Sequence, residues 1–272
     1  MHPILNFYWF ELSSYTFFAA SALIVVFAGS YLYALKQGFG RRDSLLMLIG
    51  MSFAVFIGAR LFNILINFDW YYEDFSRIYA LSASGFSLYG GALFAILIGV
   101  VISYWRGIPL YKFADTVIPF VGIGIAIMRV GCFLSGCCFG KETDLPWGVK
   151  FPTMSPAHIH QISGDLLGSV SVAPVHPTEI YELIASLIGV FLAFYLIKKN
   201  KPAGSASMAF IIWFSLFRWM NMYLRELPYP ESVITYYYPS FYAVIILICG
   251  YLFIRTNRII SRCNDGKKIY TQ

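Results

Sequence analysis

The sequence predicts an all-α, polytopic membrane protein with seven transmembrane helices, and its composition, its apolar stretches and its basic residues each support this fold class. Of the 272 residues, 12% are charged, against roughly 25% in ordinary globular proteins. Apolar residues, aromatic ones included, make up 58%, and the mean hydropathy is +0.66. A soluble fold could not cover its surface with so few charges, and a disordered chain would hold far fewer apolar side chains.

Seven stretches have the roughly 20 mainly apolar residues that a helix needs to cross the hydrocarbon core of a bilayer. We place them at residues 16–35, 45–67, 86–105, 113–137, 179–197, 205–224 and 236–254. The first stretch is not a cleavable signal peptide, because its flank has neither a basic segment nor a small-residue cleavage site. We take residues 1–254 as a single transmembrane domain, with an outer-face loop at 138–178 and a basic cytoplasmic tail at 255–272.

The basic residues predict how the chain is oriented. The connections after the first, third, fifth and seventh spans hold 13 of the 20 Lys and Arg residues. Cytoplasmic loops are enriched in Lys and Arg, so the N-terminus is expected outside and the C-terminus in the cytoplasm. The net charge of +6 then follows from topology, and nucleic-acid binding is not predicted.

Three arginines lie inside predicted spans: Arg60, Arg129 and Arg218. An arginine at mid-bilayer costs about 2.5–3.5 kcal/mol on insertion scales, so each needs an anion, a polar cavity or a route to the interface. The acids in or beside the spans are few: Asp115, Glu179 and Glu182. The surplus of positive charge indicates that the missing anion belongs to a ligand, and guanidinium pairs well with phosphate. We therefore expect a phospholipid headgroup. The alternative is that Arg60 pairs with a loop acid and that Arg218 lies near an interface.

The densest motif is GIGIAIMRVGCFLSGCCFG at residues 122–140, which contains Arg129. Its glycines let backbones and ligands approach closely. They also predict a break in the helix near Gly136, where backbone N–H groups could meet an anion. Without the arginine, helix packing alone would explain the glycines.

The motifs, in their order along the chain, resemble the prolipoprotein diacylglyceryl transferase family. They are SSY (13–15), GARLFNIL (58–65), SLYGG (87–91), RVGCFLSGCCFGKETDLPWGVKFP (129–152), PVHPTEIYE (174–182) and FRWMNMYLRELP (217–228). The resemblance implies a multi-pass transferase of the bacterial cytoplasmic membrane. Such an enzyme moves the diacylglyceryl group of phosphatidylglycerol, or of a related anionic phospholipid, to the lipobox Cys of a preprolipoprotein and releases glycerol phosphate. No cofactor is implied.

The resemblance also assigns site residues by motif position. Charge develops on the departing phosphate, so fixed cations beside it are expected to contribute most to catalysis. The catalytic positions are Arg129, Arg218, Tyr89 and Cys137. The substrate-binding positions are Tyr15, Arg60, Gly90, Gly91, Ser135, Gly140, His176, Glu182 and Arg225.

Several positions depart from the family pattern. Tyr89 stands where the family has the His of His-Gly-Gly, and a phenol with an unperturbed pKa of about 10 is a poor base at neutral pH. Cys132 replaces the Asn of Arg-x-Gly-Asn. Ser135 and Cys137 replace the Asn and Glu of Asn-Gly-Glu, and Met222 replaces a carboxylate. We expect a divergent branch that keeps the phospholipid donor and passes its group to a lipoprotein or to another acceptor.

The cysteines of the central motif, Cys132, Cys137 and Cys138, leave four interpretations open. They could be small buried hydrophobes, form a disulfide on the outer side, bind a metal with a nearby His, or supply Cys137 as a nucleophile that accepts the lipid transiently. The Cys-x4-Cys-Cys spacing is not the usual one for zinc, so no metal is assigned. Three function classes follow: a phospholipid-dependent transferase, a membrane thiol oxidoreductase, and an inactive phospholipid-binding relative.

Overall fold

The computed structural model describes residues 4–7, 10–79, 88–164, 172–227, 231 and 233–269, and these residues are mostly helical. A short antiparallel hairpin, which the sequence patterns do not predict, precedes the helices; β1 is Ile4–Phe7 and β2 is Phe10–Ser13. The main helices are α1 (Ser14–Lys36), α2 (Arg41–Ile66), α3 (Leu88–Arg106), α4 (Leu110–Ser135), α5 (Pro156–Gly164), α6 (Thr178–Lys198), α7 (Ser205–Met222) and α8 (Tyr238–Ile269). Shorter helical turns lie at Phe68–Tyr72, Phe75–Ile78 and Val233–Tyr237.

The predicted spans coincide with α1–α4 and α6–α8 to within a few residues, except that α8 continues to Ile269, through most of the predicted tail. Among the described residues, five stretches are long and apolar enough to cross a membrane: Ser14–Lys36, Arg41–Ile66, Leu110–Ser135, Thr178–Lys198 and Val233–Arg258. A shorter apolar helix covers Gly90–Arg106. The chain is therefore a multi-pass membrane protein.

The helices form two compact units, one of residues 1–29 and 117–272 and the other of residues 30–116. The prediction of a single transmembrane domain stays a prediction. In the second unit α2 packs along α3, and small residues permit this approach. A Cβ atom added to Gly58 would lie 2.6 Å from the carbonyl oxygen of Gly90, and one added to Gly91 would lie 3.0 Å from that of Val55.

In the first unit, α4 is the element on which other helices pack. A Cβ atom added to Gly131 would lie 2.7 Å from the Cβ atom of Phe18 on α1. The Ser186 hydroxyl of α6 donates to the carbonyl oxygen of Gly122 at 2.7 Å. Trp213 of α7 donates in turn through its indole N–H to the Ala185 carbonyl of α6, also at 2.7 Å. These contacts hold α6 against both α4 and α7.

The C-terminus of α4 confirms the predicted break near Gly136. Gly136 has φ +65°, and its N–H donates to the carbonyl of Phe133 while the N–H of Cys137 donates to that of Cys132, both at 3.3 Å. These two bonds define a Schellman motif, which satisfies the last carbonyls of a helix and reverses the chain. The motif directs Cys137 and Cys138 back toward Cys132.

The long loop after α4 is folded over its described residues, 138–164 and 172–177. Phe151, Ala157 and Val175 form a buried core, and Val149 pairs with Val175 through two backbone hydrogen bonds of 3.0 Å. This packing fixes the segment that leads into α6, and with it the acidic first turns of that helix.

Candidate active site

Glu182 of α6 is the centre of a buried cluster of charges. One of its carboxylate oxygens, Oε2, lies 2.6 Å from Nε of Arg129 on α4 and 3.2 Å from Nη1 of Arg218 on α7. Its other oxygen, Oε1, lies 3.3 Å from Nη1 of Arg225, just beyond α7. We call these four residues the arginine–glutamate cluster. Within the part of the chain that the structure describes, three guanidinium groups thus share one carboxylate.

This geometry corrects one expectation from the sequence. Arg129 and Arg218 were expected to lack an acid of the chain and to need a ligand's anion, but both pair with Glu182. The side chain of Glu182 is 2% exposed and that of Arg129 8%, so water screens this pair little. The expected surplus of charge is nevertheless present, because the ion pairs join three cations to a single anion.

A small cavity of about 30 Å³ opens beside the cluster. It is lined by Glu182, Arg218, Met222, Arg225, Leu227, Tyr238 and Tyr242. Arg129 is not among these described lining residues, because it lies on the α4 side of Glu182. This volume is about that of one water molecule and well below the roughly 300–1,000 Å³ of small-molecule sites, so the lining side chains must move apart to admit a headgroup.

Three further polar residues lie beside the arginine–glutamate cluster. Two of them, Asn221 and Tyr242, were not predicted as site residues from the sequence. The amide of Asn221 donates to Oε1 of Glu182 at 3.2 Å, and the hydroxyl of Tyr242 accepts from Nε of Arg218 at 3.3 Å. The third is Glu179, one helical turn before Glu182. It is 1% exposed, and neither carboxylate oxygen has a hydrogen-bond partner among the described residues. A buried Asn on the face of an apolar helix was the available signal for Asn221.

Gly140 is the junction between three segments of this unit. Its N–H donates to the carbonyl of His176 at 2.9 Å, and it forms an isolated β-bridge with Arg225. A Cβ atom here would lie 2.6 Å from the carbonyl oxygen of Leu224 and 2.7 Å from that of His176. Glycine is therefore required because two backbones pass on either side, and Arg225 is positioned through this contact.

The thiol cluster consists of Cys132, Cys137 and Cys138, whose sulfur atoms all lie within 4.8 Å of one another. The sulfurs of Cys137 and Cys138 are 3.8 Å apart, and Nη1 of Arg129 donates to the sulfur of Cys132 at 3.7 Å. Hydrogen bonds from the Cys132 and Cys137 thiols, with Arg129 and Arg225 nearby, hold the pKa of the Cys138 thiol well below its usual range. Arg129 therefore links the thiol cluster to the arginine–glutamate cluster.

Three other predicted site residues lie in the same unit. Tyr15 is in the first turn of α1, within electrostatic range of the thiol cluster and Arg129. His176 forms a 3.3 Å hydrogen bond through Nδ1 with the hydroxyl of Tyr181, which also accepts from the indole of Trp147 at 2.8 Å. Ser135 is the last residue of α4, and its buried hydroxyl has no hydrogen-bond partner among the described residues.

The remaining predicted residues belong to the second unit. Arg60 donates through Nη2 to the carbonyl oxygens of Arg77 at 2.7 Å and Ile78 at 2.9 Å, and its guanidinium lies 5.5 Å from the centre of the Tyr71 ring. Arg60 thus contacts the loop through its carbonyls, and the alternative that it also pairs with a loop acid stays a prediction. Gly90 and Gly91 face α2, and the side chain of Tyr89 lies outside what the structure describes.

Comparison with known proteins agrees with the motifs. Residues 3–256 match the family model described as prolipoprotein diacylglyceryl transferase. The chain is similar to the phosphatidylglycerol–prolipoprotein diacylglyceryl transferase of Geobacter sulfurreducens, at 30% identity over 75% of each chain. It is similar to the transferases of the same name from Vibrio vulnificus, at 31% over 70% of this chain and 65% of the relative, and from Aeromonas hydrophila, at 27% over 78% and 71%.

Proposed function

Because the chain belongs to the prolipoprotein diacylglyceryl transferase family and is a transferase, we propose that it moves a diacylglyceryl group from phosphatidylglycerol to a thiol acceptor and releases glycerol phosphate. The observation that carries this proposal is the cavity lined by Arg218 and Arg225 above Glu182. Two guanidinium groups at one cavity match the paired hydrogen bonds that a phosphate accepts. The proposal includes seven spans in a bacterial cytoplasmic membrane, with the N-terminus outside and the C-terminus in the cytoplasm.

The chemistry is a displacement at the glyceryl carbon that carries the phosphate ester. A bond forms between the acceptor's sulfur and that carbon as the bond between the carbon and the ester oxygen breaks. The electron pair stays on the oxygen, which leaves as glycerol phosphate, and the thiol proton passes to a base. Because negative charge grows on the phosphate, Arg218 and Arg225 stabilise the transition state more than the ground state.

The roles of the arginines differ from those implied by motif position alone. Arg129 lies 2.6 Å from Glu182 and is 8% exposed, whereas Arg218 and Arg225 are 20% and 13% exposed and line the cavity. We assign the phosphate to Arg218 and Arg225. Arg129 instead fixes the carboxylate that orients both of them. Gly140 positions Arg225 through their isolated β-bridge, and Tyr15 keeps the place near the headgroup that its motif position implies.

The test uses the full-length protein in nanodiscs with labelled phosphatidylglycerol and a lipobox peptide. Release of glycerol phosphate and a peptide mass gain of one diacylglyceryl unit are the expected results. Removing one fixed donor from a site of this kind lowers kcat by about 10²–10³, so Arg218→Ala and Arg225→Ala should each lose about that factor. Arg106→Ala, which removes a half-exposed surface cation of the second unit, is the matched control and should keep full activity.

A second function is favoured by one observation. Met222 lines the cavity at the position where the family pattern has a carboxylate, so a polar partner of the phosphate site is absent there. A relative that binds phospholipid without turning it over would have this feature. Retention of labelled lipid with no glycerol phosphate released, across peptide and small thiol acceptors, would favour that function over transfer.

A further inference from the structure

The three sulfur atoms of the thiol cluster are close enough to bind one metal ion, and they have no role in the proposed binding of the phosphate. We propose that Cys132, Cys137 and Cys138 bind one zinc ion and leave its fourth coordination position open. Zinc prefers thiolate ligands in a tetrahedron, and sites that hold a substrate or water have three protein ligands and one open position. The cluster offers three sulfurs and is open on the side of Cys137, the exposed member of the set.

The sulfur positions fit a zinc tetrahedron. With a zinc–sulfur distance of about 2.3 Å, the edge of the tetrahedron is about 3.8 Å. The sulfurs of Cys137 and Cys138 are already 3.8 Å apart, and all three pairs are within 4.8 Å. Each sulfur–sulfur distance therefore exceeds the tetrahedral edge by about 1 Å at most.

The local fold explains how an unusual spacing forms such a site. The Schellman motif at Gly136 turns the chain so that the residues after the helix return to Cys132, in its last turn. The hydroxyl of Thr178 donates to the carbonyl oxygen of Cys138 at 2.7 Å and ties this turn to the start of α6. A site fixed by a helix end and a neighbouring helix loses little freedom when it binds an ion.

The charges around the cluster also suit a zinc–thiolate centre. Three thiolates and one divalent zinc ion have a net charge of −1, and Nη1 of Arg129 donates to the sulfur of Cys132 at 3.7 Å. Hydrogen bonds of this kind to a ligating atom orient it and tune the metal. Without a cation, three ionised thiols so close together would repel one another strongly.

The other interpretations of the cysteines fit this geometry less well. Buried packing describes Cys132, but Cys137 is exposed. A disulfide would engage two of the sulfurs and leave the third beside it without a role. A covalent lipid on Cys137 would be a thioether, whose carbon–sulfur bond a second thiol does not displace, so the lipid could not be passed on.

The open position has a use that rests on the proposed function. A thiol acceptor binds zinc as its thiolate and transfers its proton to the hydroxide that it displaces, which leaves as water. The thiolate sulfur then forms the bond to the glyceryl carbon while the carbon–oxygen bond breaks and glycerol phosphate departs. Zinc stays divalent throughout, so no oxidant or reductant is needed, and the base that the family has at the position of Tyr89 is not required.

The test measures metal binding on the full-length protein without lipid. The protein is purified with zinc present and dialysed against a weak chelator. Elemental analysis should then find about one zinc ion per chain, as a three-thiolate site with one open position requires. Cobalt substituted for zinc should give the intense sulfur-to-cobalt absorption of thiolate ligation. Trace zinc with all thiols free to titrate, or copper in its place, would overturn the assignment.

Two variants separate the site from the thiols in general. Cys137→Ser alters the exposed member of the cluster and should lose most of the zinc and the cobalt band while the protein stays folded. Cys249→Ser removes a thiol of α8 outside the cluster and should keep both. Equal metal content in the two variants would contradict the site. Zinc bound without diacylglyceryl transfer would contradict the proposed function alone, and transfer without zinc would contradict the zinc site alone.

Discussion

Arg129 in the first unit and Arg60 in the second are both intramembrane arginines by sequence, yet their charges are met in different ways. Arg129 lies 2.6 Å from a carboxylate that two other arginines share. Arg60 donates to two backbone carbonyls and lies over a tyrosine ring. The carbonyls and the ring that contact Arg60 are neutral groups, whereas the group that Arg129 contacts is a carboxylate. The sequence locates a buried cation, but the contacts decide whether it forms part of a multi-charge site.

The largest effect is expected from Glu182→Gln, which removes the anion of the arginine–glutamate cluster. Breaking a buried ion pair by deleting one partner costs about 3–5 kcal/mol, because the other charge stays buried. Here three guanidinium groups lose the same partner. Thermal unfolding in detergent should show a large drop in stability, together with loss of transfer.

The matched control for this variant is Glu142→Gln, since Glu142 accepts one hydrogen bond from Gln161 at an exposed position of the same unit. It should unfold at nearly the wild-type temperature. Equal shifts in the two variants would mean that the cluster contributes nothing specific to the fold.

A smaller loss is expected from Arg60→Met, which preserves the apolar stem of the side chain and removes its donors. Hydrogen bonds to a charged group contribute about 1.5–3 kcal/mol. Losing the bonds to the carbonyls of Arg77 and Ile78 should therefore lower the free energy of unfolding by an amount in that range. The measurement is thermal unfolding, compared with that of Arg77→Met, which breaks the exposed pairs with Glu73 and Asp74. If both variants unfold alike, the difference drawn between Arg60 and an exposed arginine is wrong.

Gly140→Ala tests whether position 140 must be glycine because there is no room for a Cβ atom. Its Cβ atom would lie 2.6 and 2.7 Å from two carbonyl oxygens, and overpacking of this kind costs about 1–3 kcal/mol. Because Arg225 is positioned through the same contact, transfer activity should fall more than stability does. The comparison is Gly99→Ala in α3, where the nearest atom would be 3.5 Å away and no loss is expected. Unchanged activity in Gly140→Ala would remove the positioning role.

The sequence predicted the helices and the residues of the arginine–glutamate cluster, but it did not predict which of these residues pair with one another. Apolar length located α1–α4, α6 and α7 because lipid requires it, and a glycine after a helical pattern located the end of α4. The pairing of Glu182 with three arginines joins α4, α6 and the end of α7, and long-range contacts of this kind leave no periodic signal. The thiol cluster depends likewise on a backbone reversal, so its residues were identified while their mutual distances were not.

The smallest effect is expected at the exposed ion pair of the second unit, where Arg106 donates to Asp43 at 3.0 and 2.8 Å. The two side chains are 43% and 32% exposed, so solvent and salt screen them, and pairs of this kind contribute about 0–1 kcal/mol. Asp43→Asn should therefore lower the unfolding temperature slightly at low ionic strength and not at all in high salt, whereas the loss in Glu182→Gln should persist in both. A salt-independent loss at Asp43 would show that this pair is buried in the membrane-embedded protein, and the contrast between the buried cluster and the exposed pair would then not hold.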